Sequence, residues 1–429
     1  MGSPAIDPAA VDALRSERID WQFKGLPAAT FGRTVGDVAA AGLDLFDDGF
    51  VGPLLVLDDA ALTHNLTTMA DWCARHGMSL APHGKTTMAP QLFARQLELG
   101  AWGMTAANIS QARVYRAFGV RRIQLANELV DPAGLRWLAG ELDRDPEFEF
   151  YCWADSVAGV GLMDAELRAA AVSRPMDVLV ELGAPGGRSG ARATAAATDV
   201  ADAITASPVL RLAGVGGYEG VVGHGASATT LATLTEYLER LRRLAEQLPF
   251  PDVAEVIVTA GGSAYFDVVT DVLGRSWADP RVRPMLRSGA YVSHDDGFYQ
   301  HVSPLGEETR LADAPPFRAA FTAWGQVMSR PEPDLALLTM GKRDVPFDEG
   351  LPMPRLLRTV DGTTEPLTGC RVSKVVDQHT FLVGDGGELP SVGDWVGFGL
   401  SHPCTTFDKW RLIPVVDGTT VVDFVRTYF

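Results

Sequence analysis

The chain has 429 residues, 46% hydrophobic and 21% charged, the balance of a globular protein large enough for two domains. Its net charge of -17 excludes a basic nucleic-acid or anionic-membrane surface as its working face, and no run approaches the roughly 20 apolar residues of a membrane span. Four scattered cysteines (Cys73, Cys152, Cys370 and Cys404) and a start without a basic-then-apolar leader predict a reducing, cytoplasmic setting.

Taken in chain order, "PLLVLDD" (53–59) reads as a strand leading into the helix "AALTHNLTTMADWCARHG". From residue 79, short apolar runs alternate with amphipathic ones. Runs at 79–82, 102–106, 122–126, 148–154, 177–182, 211–217, 255–260 and 282–287 predict eight strands. Helical stretches lie between them; in "LATLTEYLERLRRLAEQL", Leu231, Leu234, Leu238, Leu241 and Leu248 hold a helical spacing. Such alternation implies parallel βαβ units with right-handed crossovers. Eight in succession predict a closed (β/α)8 TIM-type barrel of the α/β class. An open doubly wound sheet is the alternative, weakened because no G-x-G-x-x-G follows the first strand. After residue 296 the runs shorten and are split by Gly, Pro and Asp turns: "FRAAFTAWGQVMS", "CRVSKVVDQHTFLV", "DWVGFGL" and "TTVVDFVRTYF". They predict a C-terminal all-β domain. The stretch 342–366 reads as a long turn-rich connection. The expected domains are an N-terminal extension at 1–60, a barrel at 61–295 and a β domain at 296–429.

Functional side chains of a barrel gather at the C-terminal ends of its strands. Lys85, in "APHGKTTMAP", falls just after the first strand. After the seventh, "AGGSAYFD" sets Gly261, Gly262 and Ser263 ahead of a helix, where backbone N–H groups and the helix N-terminus favour an anion. The loops after strands 7 and 8 are the usual phosphate site of this architecture. For the glycines, a simple helix-opening turn is the competing reading. A lysine and a phosphate cradle at one mouth suggest pyridoxal phosphate, whose aldehyde takes a lysine as a Schiff base.

The segments "APHGKT", "GAWGMTAANISQARVYRAFGVRRIQLANELV", "ELGAPGGRSGAR", "GGYEG", "TAGGS" and "LRSGAYVSHDDGFY" resemble the D-serine dehydratase and D-threonine aldolase family. These are fold-type III pyridoxal-phosphate enzymes with an alanine racemase-like barrel, and the likeness runs from about residue 50 to about 410. It implies that Lys85 is the Schiff-base lysine and that the strand at 53–59 joins the β domain. Arg188 matches the arginine of the family's R-x-G stretch, with a role at the cofactor ring or the substrate; a solvated loop arginine is the alternative, and Arg192 lies close enough to be confused with it. Tyr218, after strand 6, and Gly289 and Tyr291, after strand 8, are further cofactor candidates, with barrel-rim packing as the other reading for the tyrosines. The resemblance also implies a homodimer, in which each barrel meets the other subunit's β domain.

In "GLSHPCTTFDKW", His402 and Cys404 stand two apart on an expected strand end, so both can face one side. Imidazole and thiolate are zinc ligands, and two protein ligands leave coordination open for water and substrate. In the resembling family a His-x-Cys pair binds zinc in the dehydratases, whereas the aldolases tend to have His-x-Asp; manganese and magnesium are the alternative metals. The implied activity is dehydration and deamination of β-hydroxy D-amino acids such as D-serine or D-threonine, giving a 2-oxo acid and ammonia. Zinc as a Lewis acid eases departure of the β-hydroxyl. Retro-aldol cleavage and racemisation are the alternatives, followed by non-catalytic binding of pyridoxal phosphate. The expected partner is a small-molecule amino acid, with no nucleic acid and no membrane.

Overall fold

The computed structural model describes residues 5–251, 253–307 and 309–429. After an initial strand, β1 (Leu54–Asp58), the eight apolar runs become β2 (Ser79–Leu80), β3 (Met104–Ala106), β4 (Arg122–Glu128), β5 (Glu149–Ala154), β6 (Met176–Leu182), β7 (Leu210–Gly217), β8 (Val256–Thr259) and β9 (Val282–Leu286). They form one parallel sheet in the order β2-β9-β8-β7-β6-β5-β4-β3. The ends meet where Trp102 N–H donates to Leu80 O at 2.7 Å and Thr105 N–H to Pro82 O at 2.9 Å. That closure selects the barrel over the open sheet.

Helices cover the outside. Asp58 caps the helix Asp59–Arg75 by accepting from Ala61 N–H at 2.6 Å, and the leucine face of Ala228–Gln247 buries Leu234, Leu238 and Leu241 against the barrel. Inside, Ala81, Trp102, Tyr151, Leu179, Ala213, Ile257 and Met285 form a packed layer. Below it, at the strand N-termini, Arg122 pairs with Glu149 (2.9 Å), Arg211 with Asp177 (2.6 Å) and Arg283 with Glu255. Chemistry is left to the opposite, C-terminal end.

The rest of the strands build a ten-stranded sheet: β10 (Phe321–Glu332), β11 (Leu335–Leu338), β12 (Met353–Arg358), β13 (Thr364–Pro366), β14 (Cys370–Val375), β15 (Thr380–Gly384), β16 (Trp395–Gly399), β17 (Leu412–Asp417) and β18 (Thr420–Arg426). β1 lies between β10, antiparallel with Leu55 opposite Ala323, and β17, parallel with Leu57 opposite Val415. The early strand thus completes the late sheet. One expectation is corrected: 342–366 is not all connection, since β12 and β13 pair there, Leu357 opposite Glu365. "CRVSKVVDQHTFLV" divides into β14 and β15, a hairpin. Ile19, Phe23, Leu26, Val38 and Phe50, ahead of β1, pack with Trp324, Leu412 and Phe424 of this sheet. Among the described residues, no helix is long and apolar enough to cross a membrane.

Candidate active site

Lys85 sits on a single 3-10 turn, Gly84–Thr86, at the mouth end of β2. Burial lowers its ammonium pKa; the Cys404 thiolate opposes this, while Arg188 and Arg287 reinforce it. A buried lysine surrounded by guanidinium groups carries more of the neutral, nucleophilic amine. The turn is held by Gly289, where an added Cβ would lie 2.5 Å from the His83 carbonyl oxygen and 2.9 Å from Thr86 Oγ1. Gly289 therefore lets the β9 loop touch the lysine turn.

Arg188 and Tyr218 are together: the guanidinium carbon lies 4.8 Å from the tyrosine ring centre. The ambiguity with Arg192 disappears, because Arg192 donates to the carbonyls of Gly187 (3.0 Å), Ser189 (2.7 Å) and Gly190 (2.8 Å), bracing its own loop. Tyr218 N–H donates to Tyr237 Oη at 3.1 Å, and Tyr237 in turn donates to Leu182 O at 2.6 Å.

Two expectations change here. Gly261 and Gly262 N–H do not point free into a cradle: they donate to the buried carboxylate of Glu219 at 2.8 and 2.9 Å. Gly261 has φ 99°, so it is a turn only glycine makes easily. Ser263 Oγ, buried and without a partner, is the polar group left facing inward there. Tyr291 is not at the mouth: it is 2% exposed, its hydroxyl accepts from Gln96 Nε2 at 3.0 Å, and its ring lies 6.0 Å from that of Phe317. The short turn Ala290–Val292 places it under the helices instead of at the rim.

His402 and Cys404 come together, although not on a strand end. His402 has a left-handed backbone (φ 60°) and caps the short helix Pro403–Phe407 that carries Cys404. Asp295 Oδ2 accepts its N–H at 2.9 Å, and its Nδ1 lies 2.6 Å from Asp348 Oδ2. The bond to Cys404, against burial, and then Asp348 push the imidazole up to about 9. Burial alone would raise the Cys404 thiol; bonds with His402 and Thr86 and the charges of His402 and Lys85 outweigh it and hold the thiol below its ordinary value. Cys404 Sγ is 3.5 Å from Thr86 Oγ1, next to Lys85. An imidazole and a thiolate sharing a proton are a donor pair from which a divalent cation displaces that proton. The lowered lysine amine, with the unpartnered Ser263 Oγ and His83 Nδ1, equally fits an aldehyde-bearing phosphate.

Two domain models match consecutive stretches: the alanine racemase N-terminal domain at 57–268 and the serine dehydratase domain at 320–416. The chain belongs to the D-serine dehydratase and D-threonine aldolase family of fold-type III pyridoxal-phosphate enzymes. It is 29% identical over 375 residues to the D-threonine aldolase of an Arthrobacter species, spanning 86% of this chain and 90% of that one. The crystal structure of D-threonine aldolase from Filomicrobium marinum superposes with a TM-score of 0.72 at 26% identity, covering 88% of this chain and 95% of that one. D-threo-3-hydroxyaspartate dehydratase from Delftia sp. HT23 shares the fold, with a TM-score of 0.70 at 20% identity over 88% of this chain and 98% of that one.

Within this family fold, several mouth residues escape sequence reasoning. Arg287, 2% exposed, donates to Thr259 Oγ1 at 2.7 Å and Gly217 O at 2.6 Å, its guanidinium carbon 4.8 Å from the Trp153 ring centre. Tyr299, on Phe298–Val302, has its phenol held protonated by burial, then by the charges of Cys404, Tyr218, Asp295 and Glu349. Glu128, Asp155 and Glu181 are the one set of three His, Cys or carboxylate donors within 4.8 Å of one another among the described residues. Burial, then the bond and charge of Glu128, raise Glu181 well above the carboxylate range, so this pair holds a proton. Their signal was positional: all three lie at or just past the ends of β4, β5 and β6.

Proposed function

We propose that the chain is a pyridoxal-phosphate-dependent lyase that dehydrates and deaminates β-hydroxy D-amino acids. The observation that carries this reading is that Cys404 Sγ lies 3.5 Å from Thr86 Oγ1, on the same turn as the buried Lys85, so that a lysine and a His–Cys pair meet at one mouth. Lys85 would hold the cofactor, Ser263 its phosphate, with Arg188 and Tyr218 beside the ring; bound there, pyridoxal phosphate stabilises negative charge on the substrate α-carbon. His402 and Cys404 would hold a divalent metal, zinc by ligand softness, which weakens the bond to a β-oxygen.

The chain's own groups then have defined tasks. Lys85 Nζ, its proton affinity lowered by burial, would accept the α-proton. The Tyr299 hydroxyl, buried within the field of Cys404, keeps its proton. Arg188 adds positive charge over Tyr218. The α-hydrogen and β-hydroxyl leave as water, and water returns as ammonia departs, so the products are a 2-oxo acid and ammonia. A cysteine-to-alanine variant of the 3-hydroxyaspartate dehydratase was solved in a metal-free form, which supports the metal reading.

Retro-aldol cleavage to glycine and an aldehyde is the second reading, favoured by relatives that are aldolases: the D-threonine aldolase above and the 3-hydroxy-D-aspartate aldolase of Paracoccus denitrificans. Four unpaired cysteines support a reducing compartment. The experiment on the lysine is direct: purified protein absorbs in the visible, and borohydride fixes the cofactor on the peptide containing Lys85. Lys85→Ala loses both; fixation on another lysine would refute the assignment.

A further inference from the structure

Asp348 lies between β11 and β12, on the part of 342–366 that remains a loop. Its two oxygens grip both ends of the segment bearing Cys404: Oδ2 lies 2.6 Å from His402 Nδ1, and Oδ1 accepts from Thr405 Oγ1 at 3.0 Å. Next to it, Glu349 O accepts from Ser401 Oγ at 2.9 Å, and that same Oγ accepts from Phe298 N–H at 3.0 Å. The loop is therefore stitched to the segment on each side of His402. The left-handed turn and Asp295 fix the His402 backbone, and Asp348, at 2.6 Å from Nδ1, fixes the direction of its ring.

We propose that Asp348 is a positioning residue for the metal: it accepts the Nδ1 proton of His402 and so leaves Nε2, in a fixed orientation, to ligate. This rests on the reading of His402 and Cys404 as the metal pair. The imidazole of a metal-binding histidine characteristically donates its other N–H to a carboxylate, which sets both tautomer and ring direction. Asp348 stands behind the ring and is not a third ligand, since His402, Cys404 and Asp348 do not place three donor atoms within 4.8 Å of one another. The residue thus makes a surface loop part of the metal site without touching the ion.

The test measures Zn2+ and Co2+ affinity of the cofactor-loaded protein by competition with a chromophoric chelator. Wild type binds one ion in a manner abolished by Cys404→Ala. Asp348→Ala weakens binding about 10- to 100-fold, while Asp348→Asn, which keeps an acceptor but not the charge, falls between. At saturation the Co2+ spectrum of both variants matches wild type, because the ligands are unchanged. Cofactor absorption and the thermal midpoint show that the variants are folded. Wild-type affinity in Asp348→Ala would overturn the role of Asp348 and leave the metal pair standing. An altered Co2+ spectrum at saturation would make Asp348 a ligand and overturn it equally. Failure of the wild type to bind metal would remove the pair itself, and the proposal with it.

Discussion

In the proposed metal pair, Cys404 is the residue on which the choice between the two outcomes would rest. A soft thiolate with an imidazole favours zinc, and a carboxylate in its place favours manganese or magnesium. Cys404→Asp is predicted to lower 2-oxo acid formation from D-threonine by roughly 10²-fold or more, the equivalent of several kcal/mol of lost Lewis-acid assistance. The same variant gains glycine and acetaldehyde, read by amino-acid and aldehyde analysis; unchanged products would show that the metal ligand does not choose the outcome. Arg287 is a residue of another kind, buried and hydrogen-bonded. Arg287→Met leaves Thr259 and the Gly217 carbonyl without their donor, at about 2–4 kcal/mol of stability, seen as a lower urea midpoint. Lys85, Arg188 and Cys404 stood out in the sequence because each follows a barrel strand or belongs to a pair with known ligand chemistry, and the fold brings them to one mouth. Arg287, Tyr299 and Glu219 did not, since what they touch is decided by barrel closure. Tyr291 misled because a residue after the last barrel strand is usually at the mouth, and here one 3-10 turn carries it beneath the helices.

At the scale of elements, the site is a meeting of turns. The Lys85 turn, the β9 loop and the helix Pro403–Phe407 are held by contacts too close to admit a larger residue or an unpaired group. Gly289→Ala places a Cβ 2.5 Å from the His83 carbonyl oxygen. It should move the lysine turn, costing about 1–3 kcal/mol and releasing cofactor on dialysis; full cofactor retention would show that the β9 loop does not support Lys85. The barrel strands were legible as apolar runs because both faces are buried, one by the interior layer and one by helices. β12 and β13 were not: "MPRLLR" and "TEP" are short, proline-containing and partly exposed, at one end of the ten-stranded sheet. Such strands carry neither an apolar run nor clean alternation. The His402 turn was hidden for a different reason. A residue before proline is steered away from helical backbone, so a strand end was the natural reading; contacts with Asp295 and Asp348, and the Thr405 and Thr406 hydroxyls on its carbonyl, hold the left-handed form.

At the scale of the molecule, a buried histidine after the last barrel strand contributes to how the protein responds to acid. His294 is buried beside Phe317, and its Nε2 lies 2.9 Å from Gln300 Oε1. Burial lowers its pKa from 6.5 to about 4, with Gln300 opposing. The folded state keeps the ring neutral where the unfolded chain protonates it. Its contribution is therefore fully present above pH 6.5 and is lost as pH falls toward 4, by up to about 1.4 kcal/mol per pH unit. His294→Asn, which tolerates a left-handed backbone, should flatten that part of the urea-midpoint profile; an identical slope would place the acid lability elsewhere. The exposed Phe347 and Leu351 flank the Asp348 loop, an apolar edge that would suit the homodimer implied by the family resemblance. Sedimentation equilibrium should give a dimer, and full activity in a monomer would contradict it.

The central claim is elimination at a pyridoxal-phosphate site with a metal pair, and the products of D-threonine test it most directly. Purified protein, loaded with cofactor and zinc, is incubated with D-threonine and with L-threonine, and 2-oxobutanoate, ammonia, glycine and acetaldehyde are quantified together. The predicted result is equal amounts of 2-oxobutanoate and ammonia from the D-isomer, none from the L-isomer, and loss of both after chelation. Glycine and acetaldehyde as the main products, or full 2-oxobutanoate formation from metal-free protein, would contradict it.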